Sequence, residues 1–255
     1  MISKPYKKDF RLDNKIAVVT GASSGIGLAT SKIFAEKGAT VCMVSRNLEK
    51  TQRAATTVPN AVAFQADVSD PEAVDRVVRE ILTKFPKIDI LVNNAGIGDI
   101  DWAKDMPVSI WDKVISVNLS GTFYMAQRVG QEMIRLENGG KIINLASQAG
   151  IVAIDKHVAY SASKAGIISM TKSLAYEWGR YGIQVNAISP TATETPIIVG
   201  YWDTGKIHED AIANTPAGRF CKPEEVALAA VFLASDAANM ITGENLVIDG
   251  GYTIH

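Results

Sequence analysis

The chain has 255 residues, 47% of them hydrophobic and 21% charged, with acidic and basic side chains almost cancelling to a formal charge of −1. That composition excludes an intrinsically disordered chain, and the near-zero charge leaves no field to hold nucleic acid or an anionic membrane surface. Its two cysteines, Cys42 and Cys221, match no disulfide framework or zinc spacing, and no metal site is expected.

Met1 to Lys15 is charged and lacks the apolar core of a signal peptide, and the longest apolar run, near Ala227 to Ala234, is too short to span a bilayer. The expectation is a cytoplasmic protein. Along the chain, short β-branched runs alternate with segments of helical period. Ile16–Thr20, Val41–Val44, Val62–Gln65, Ile88–Val92, Ile142–Leu145, Ile183–Ile188 and Leu246–Ile248 read as strands. Most are apolar without polar alternation, as in parallel strands covered by helices on both faces. This predicts an α/β fold: a Rossmann-type, doubly wound parallel sheet of about seven strands. Glycines close the intervening helices at Gly38, Gly139, Gly140 and Gly182, while Asp70-Pro71 and Lys222-Pro223 read as helix starts. No linker or repeat divides the chain, so residues 1–255 read as one domain with an extension over 1–14. Periodicity weakens from about Thr191 to Pro216, which marks a candidate substrate lid.

Directly after the first strand comes Thr20-Gly21-Ala22-Ser23-Ser24-Gly25-Ile26-Gly27, and a helical pattern follows at once. A strand, a glycine turn and a helix N-terminus make a seat for a diphosphate: Gly21 permits the tight turn, Gly25 keeps side chains away from the anion, and Gly27 allows close packing. Such clusters also occur as plain structural turns. The second strand ends in Ser45-Arg46, with no carboxylate to bond a ribose hydroxyl and a guanidinium available for a 2′-phosphate. That favours NADP(H) over NAD(H); the alternative is that Arg46 is only a solvated residue at a helix start.

From Thr20 to Gly27 the chain resembles the short-chain dehydrogenase/reductase family, whose turn reads T-G-x-x-x-G-x-G. The resemblance continues through Asn93-Asn94-Ala95-Gly96, Asn118, Ser147 and Tyr160-Ser161-Ala162-Ser163-Lys164, and covers roughly residues 13–252. It implies a hydride-transferring oxidoreductase with Ser147, Tyr160, Lys164 and Asn118 as catalytic residues. Tyr160 and Lys164 lie four apart on one helix face, so an ammonium can favour the phenolate of an acid/base tyrosine. Ser147 would bond the substrate oxygen, and Asn118 would position a water linking Lys164 to solvent. The resemblance also implies cofactor contacts from Gly21, Ser23, Ser24, Gly25, Ile26 and Gly27; from Ser45, Arg46, Asp67 and Val68; from Asn94, Ala95, Gly96, Tyr160 and Lys164; and from Pro190, Thr193 and Thr195.

On the substrate side, Gln148 is placed to bond a second substrate hydroxyl, while His157 reads as substrate-lining or merely exposed. Thr191 stands where the family has a glycine after Pro190, and the loop's path is expected to differ there. Pro196 to Trp202 is apolar and aromatic and suits either a lid or a subunit contact. The threonine after the proline and the later tryptophan resemble the polyol and ketose members, so a small polyol or ketose is the expected substrate. A 3-oxoacyl-thioester reductase and a non-catalytic cofactor-sensing regulator are the alternatives. The last strand resembles one that packs across a homotetramer interface.

Overall fold

The computed structural model describes residues 10–196, 198 and 205–254. Seven strands form one parallel sheet in the order β3-β2-β1-β4-β5-β6-β7. They are β1 Ile16–Thr20, β2 Thr40–Ser45, β3 Ala61–Gln65, β4 Ile90–Asn93, β5 Gly140–Leu145, β6 Ile183–Pro190 and β7 Asn245–Ile248. Every expected strand is present.

Alternation along each strand divides the core into two. Ala17, Val19, Val41, Met43, Ile90, Val92, Ile143 and Leu145 turn to one face, where they meet α1 (Gly25–Glu36) and α8 (Pro223–Ala234). Val18, Cys42, Val44, Leu91 and Ile142 turn to the other, against α3 (Pro71–Lys84), α5 (Gly121–Arg135) and α6 (Val158–Trp178). Both faces are therefore dry, which is why the strands read as unbroken apolar runs. Between β2 and β3 lies α2 (Leu48–Ala55), and α4 (Val108–Ile115) precedes α5.

The helix starts follow their sequence signals. Asp70 accepts from the Glu72 N–H at 2.9 Å with Pro71 at the first helical position, and the Glu225 carboxylate reaches back to the Lys222 N–H at 2.8 Å. Two expectations change. The first concerns β4, which begins two residues late, at Ile90, because Asp89 accepts from the Ile16 N–H through its side chain, at 2.9 Å. The second is that the weakly periodic stretch 191–216 contains a helix, α7 (Gly205–Ala213), braced by a Lys206–Asp210 ion pair at 2.8 Å and by Ala211 packing with Ile198 and Phe220. Of the apolar run, Ile197 and Val199 to Trp202 lie outside the described residues, as do residues 1–9 of the N-terminal extension.

The strand order reverses between β1 and β4, and a crevice opens there at the carboxyl ends of the strands. That is where doubly wound folds bind ligands.

Candidate active site

A cavity of about 650 Å³ runs along the carboxyl edge of the sheet, walled by the turns that follow β1, β2, β3, β4, β5 and β6. At its centre Thr20 stitches β1 to β4: its Oγ1 accepts from the Asn94 and Ala95 N–H groups, both at 3.0 Å, and its carbonyl accepts from Asn94 Nδ2, also at 3.0 Å. The Asn94 Nδ2 group is thus spent on the turn. Gly21 and Gly25 have φ of +64° and +55°, which a side chain would resist. A Cβ on Gly27 would sit 2.4 Å from the Gly21 carbonyl oxygen. Ser24, at the N-cap of α1, makes no side-chain cap bond, and the first turn holds no acidic residue. The helix therefore presents uncapped N–H groups and its positive dipole end to the cavity, the chemistry that a diphosphate needs.

Toward β2 and β3 the wall carries Ser45, Arg46, Asn47, Lys50, Asp67 and Val68. Ser45 Oγ is turned away onto Thr51 Oγ1, and Asn47 caps α2 by accepting from the Lys50 N–H at 2.8 Å. Asp67 Oδ1 is held by the Ser69 N–H at 2.9 Å and by its hydroxyl at 2.6 Å. No side-chain bond among the described residues restrains the Arg46 guanidinium, and no carboxylate lines this end of the wall except Asp67. Lys50 was not apparent from the sequence; its signal was its place four residues after Arg46, at the start of a helix.

At the other end, α6 carries Tyr160 and Lys164 on one face, and Ser147 leads out of β5 into a short 3₁₀ turn, Gln148–Gly150. Lys164 Nζ donates to the Leu145 carbonyl at 2.6 Å and lies 5.5 Å from the centre of the Tyr160 ring. Burial lowers the Lys164 ammonium from its ordinary 10.5 to about 8, and burial raises the Tyr160 phenol while the Ser147 hydroxyl opposes the rise. In the protein alone, then, desolvation outweighs the expected pull of Lys164 toward phenolate. Between pH 8 and 10.5 a depressed lysine binds fewer protons folded than unfolded, so unfolding free energy rises with pH across that window. Lys164→Met, which removes the buried charge, is expected to gain up to about 3 kcal/mol at pH 7, less the lost Leu145 bond. That advantage should fade by pH 10.5 in denaturant titrations.

Asn118 is fully buried at the middle of a π-helical turn, Ser116–Ser120, between α4 and α5, and it does not line the cavity. Its Oδ1 accepts from the Ile97 N–H at 2.8 Å, and its Nδ2 donates to the Ile97 carbonyl at 3.0 Å and to Ser163 Oγ at 3.2 Å. The side chain therefore ties the loop after β4 to α6. A π-turn leaves no mark in the hydrophobic period, so its presence was not legible.

His157 is buried rather than exposed, at 7%. It lines the cavity with Nδ1 2.6 Å from the Asp155 carbonyl oxygen, its ring edge-on to Tyr160 at 5.9 Å, and burial lowers its pKa. Gln148 also lines the cavity. Past β6, Pro190, Thr191, Thr193 and Thr195 also face the cavity. Thr191 has no positive φ, and its N–H bonds the Ile248 carbonyl at 3.0 Å, so the loop leaves β6 on a path that needs no glycine. Sequence reasoning missed the apolar part of the wall, Ile97, Ile100, Ile154, Ala192 and Ile198. These residues converge from loops far apart in the chain and share no local pattern.

A family model described as enoyl-(acyl carrier protein) reductase matches residues 21–253. The chain is 52% identical over 255 residues to an NAD-dependent glycerol dehydrogenase of Listeria innocua, covering 100% of both chains. It is 47% identical over 251 residues to a D-threitol dehydrogenase of Mycolicibacterium smegmatis, covering 96% of this chain and 95% of the other. Its backbone superposes on a gluconate 5-dehydrogenase from Burkholderia cenocepacia, solved in complex with NADP and tartrate, with a TM-score of 0.92. The identity there is 35%, over 96% of this chain and 98% of that one.

Proposed function

Because this chain belongs to the short-chain dehydrogenase/reductase family, as a nicotinamide-dependent oxidoreductase, we propose that it interconverts a small polyol and its ketose, using Tyr160 as general acid/base. The observation that carries the reading is one cavity that joins a glycine-lined, uncapped helix N-terminus to Ser147, Tyr160 and Lys164. The relatives named as glycerol and D-threitol dehydrogenases support the substrate class.

When bound, the nicotinamide accepts or supplies the hydride. Gly21, Ser23, Ser24, Gly25 and Ile26 would hold the diphosphate, with Gly27 packed behind them against Gly21 and Asn94; Asp67 and Val68 would meet the adenine, and Asn94, Ala95 and Gly96 the ribose. Pro190, Thr193 and Thr195 would hold the nicotinamide end. In oxidation Tyr160 takes the hydroxyl proton; in reduction its phenol returns one to the forming alkoxide. Ser147 Oγ bonds the substrate oxygen as charge develops there, and donors fixed before reaction stabilise that charge most. Lys164, fixed on Leu145, stands by the phenol, and Asn118 acts as a positioning residue that fixes the Ile97 loop against α6. His157 and Gln148 face the substrate.

NADP(H) is the favoured cofactor, on the strength of the unrestrained Arg46 and of Lys50 at the same end of the wall. Arg46→Ala is expected to raise the KM for NADP by about 10- to 100-fold and to leave that for NAD within about twofold, as losing a charged hydrogen bond predicts. Steady-state kinetics with both cofactors measures this, and equal effects on the two would overturn the preference. A cytoplasmic homotetramer is the proposed state. In support of the assembly, Leu228 and Val247 stay exposed on α8 and β7. The substrate reading is tested by screening polyols, ketoses and 3-oxoacyl thioesters with NADP and NAD while following nicotinamide absorbance. Polyols and ketoses are expected to turn over; thioesters alone would overturn the reading.

A further inference from the structure

The sheet face that carries α5 and α6 is apolar along β4 and β5 until Asn93 and Asn144, which are neighbours in the β4–β5 register. Both are buried, at 2% and 0% exposure, and so are Thr122 of α5 and Thr171 of α6 on either side of them. Thr171 sets the direction of every bond in the group. Its hydroxyl proton is spent on the Ile167 carbonyl at 2.8 Å, so Thr171 Oγ1 can only accept, and it accepts from Asn144 Nδ2 at 3.0 Å. Asn144 Oδ1 is then left to accept from Asn93 Nδ2 at 2.9 Å, and that same nitrogen donates to the Thr122 carbonyl at 3.3 Å. Thr122 Oγ1 donates to the Asn118 carbonyl at 2.7 Å. The chain returns to α6 through Asn118 Nδ2 and Ser163 Oγ, which donates to the Tyr160 carbonyl at 2.7 Å. One polar belt through β5, β4 and the π-turn thus grips α6 at two levels.

The belt weakens the core. It leaves Asn93 Oδ1 buried without a partner, and apolar side chains of the same shape would fill the space without that loss. What directional bonds supply and apolar contacts do not is a single fixed position. Thr171 lies two turns beyond Lys164 on the same helix face. Among the described residues these two are the α6 side chains hydrogen-bonded to β5, at Asn144 and at the Leu145 carbonyl. Ile167 packs with Ala146 between them. A slide of α6 along β5 would break the Asn144–Thr171 bond and carry Tyr160 and Lys164 away from Ser147.

Resting on the reading of Tyr160 as general acid/base, we infer that Asn144 and Thr171 are positioning residues, which hold α6 against β5 so that Tyr160 meets the substrate oxygen bonded by Ser147. Neither lines the cavity, so neither acts by touching substrate or cofactor.

The test measures kcat and cofactor KM, with thermal melts, on the polyol that the wild type oxidises fastest. The variants are Thr171→Val and Asn144→Leu, which keep side-chain shape, their double variant, and Thr171→Ser, which keeps the hydroxyl. Thr171→Val and Asn144→Leu are each expected to fold and to lower kcat by about 10- to 100-fold, as a misplacement of up to about 1 Å predicts, while cofactor KM stays within about twofold. Thr171→Ser should hold kcat within about threefold of wild type, and the double variant should be no slower than the slower single one, since both changes break the same bond. Wild-type kcat in Thr171→Val and Asn144→Leu, a fall shared by Thr171→Ser, or losses that multiply in the double variant would overturn the inference. If Thr171→Val does not fold, Asn144→Leu decides; failure of both to fold makes the belt a stability element and overturns the inference too. Tyr160→Phe separates the inference from the reading beneath it. An inactive Tyr160→Phe beside fully active Thr171→Val and Asn144→Leu removes the inference alone, whereas a fully active Tyr160→Phe, or a wild type that oxidises no polyol, removes the reading itself.

Discussion

Tyr160→Phe is expected to keep the fold and lose about 10³-fold in kcat, the middle of the range for removing a positioned acid/base group. The substitution deletes one hydroxyl and leaves the ring's other relations in place: its edge-on contact with His157 at 5.9 Å and the Lys164 ammonium 5.5 Å from its centre. Ser147 and the uncapped helix N-terminus remain, so cofactor affinity should change by less than about threefold. Because the phenol is raised by burial, the oxidative rate of the wild type should climb with pH as the phenol ionises, and the variant should lose that limb. Steady-state polyol oxidation from pH 6 to 10, with a thermal melt as control for folding, checks both statements. A variant within threefold of wild-type kcat would remove Tyr160 from the mechanism.

Gly27→Ala is expected to have the largest effect on the cofactor turn. The added Cβ would lie 2.4 Å from the Gly21 oxygen, 2.5 Å from Asn94 Nδ2 and 2.9 Å from the Gly21 carbon. Two of those atoms are backbone, and the third belongs to the amide that bonds the Thr20 carbonyl. None can yield without opening the stitch between β1 and β4. Overpacking of this kind costs about 1–3 kcal/mol. A shift near 1 Å at the diphosphate seat is worth about 10² in cofactor KM. Gly179→Ala is the matched control, since a Cβ there meets nothing within 4 Å; it should leave the KM unchanged and the melting temperature the same or slightly higher. Equal behaviour of the two variants would show that the turn does not depend on the close approach at Gly27.

How far the sequence carried depends on whether each feature is local. The strands were legible because a sheet buried on both faces writes itself as apolar runs, and the error at β4 came from Ile88, buried at 1% yet ahead of the strand. The glycine turn and the helical spacing of Tyr160 and Lys164 are local patterns, and the fold places both along one cavity. Features set by tertiary contact were not legible. Asn118 could be named, but the π-turn that directs its amide to Ile97 and Ser163 rather than to the cavity could not. His157 looked as easily exposed as buried, since burial there depends on loops distant in sequence. Helix α7 was missed because its only strong apolar anchor, Ala211, packs against Ile198 and Phe220 on either side of it in the chain. The expected pull of Lys164 toward phenolate belongs to the complex with an oxidised nicotinamide; in the protein alone burial raises the Tyr160 phenol and lowers the Lys164 ammonium, and burial is a property of the fold that spacing does not carry.

The central claim is that hydride passes directly between a carbinol carbon held at Ser147 and Tyr160 and a nicotinamide seated along the same cavity. Incubating the protein with NADP and propane-1,2-diol carrying deuterium on the secondary carbinol carbon, then weighing the reduced cofactor by mass spectrometry, tests it most directly. One deuterium on each reduced cofactor is the expected result. Reduced cofactor without deuterium, or no reduction with either NADP or NAD, would contradict it.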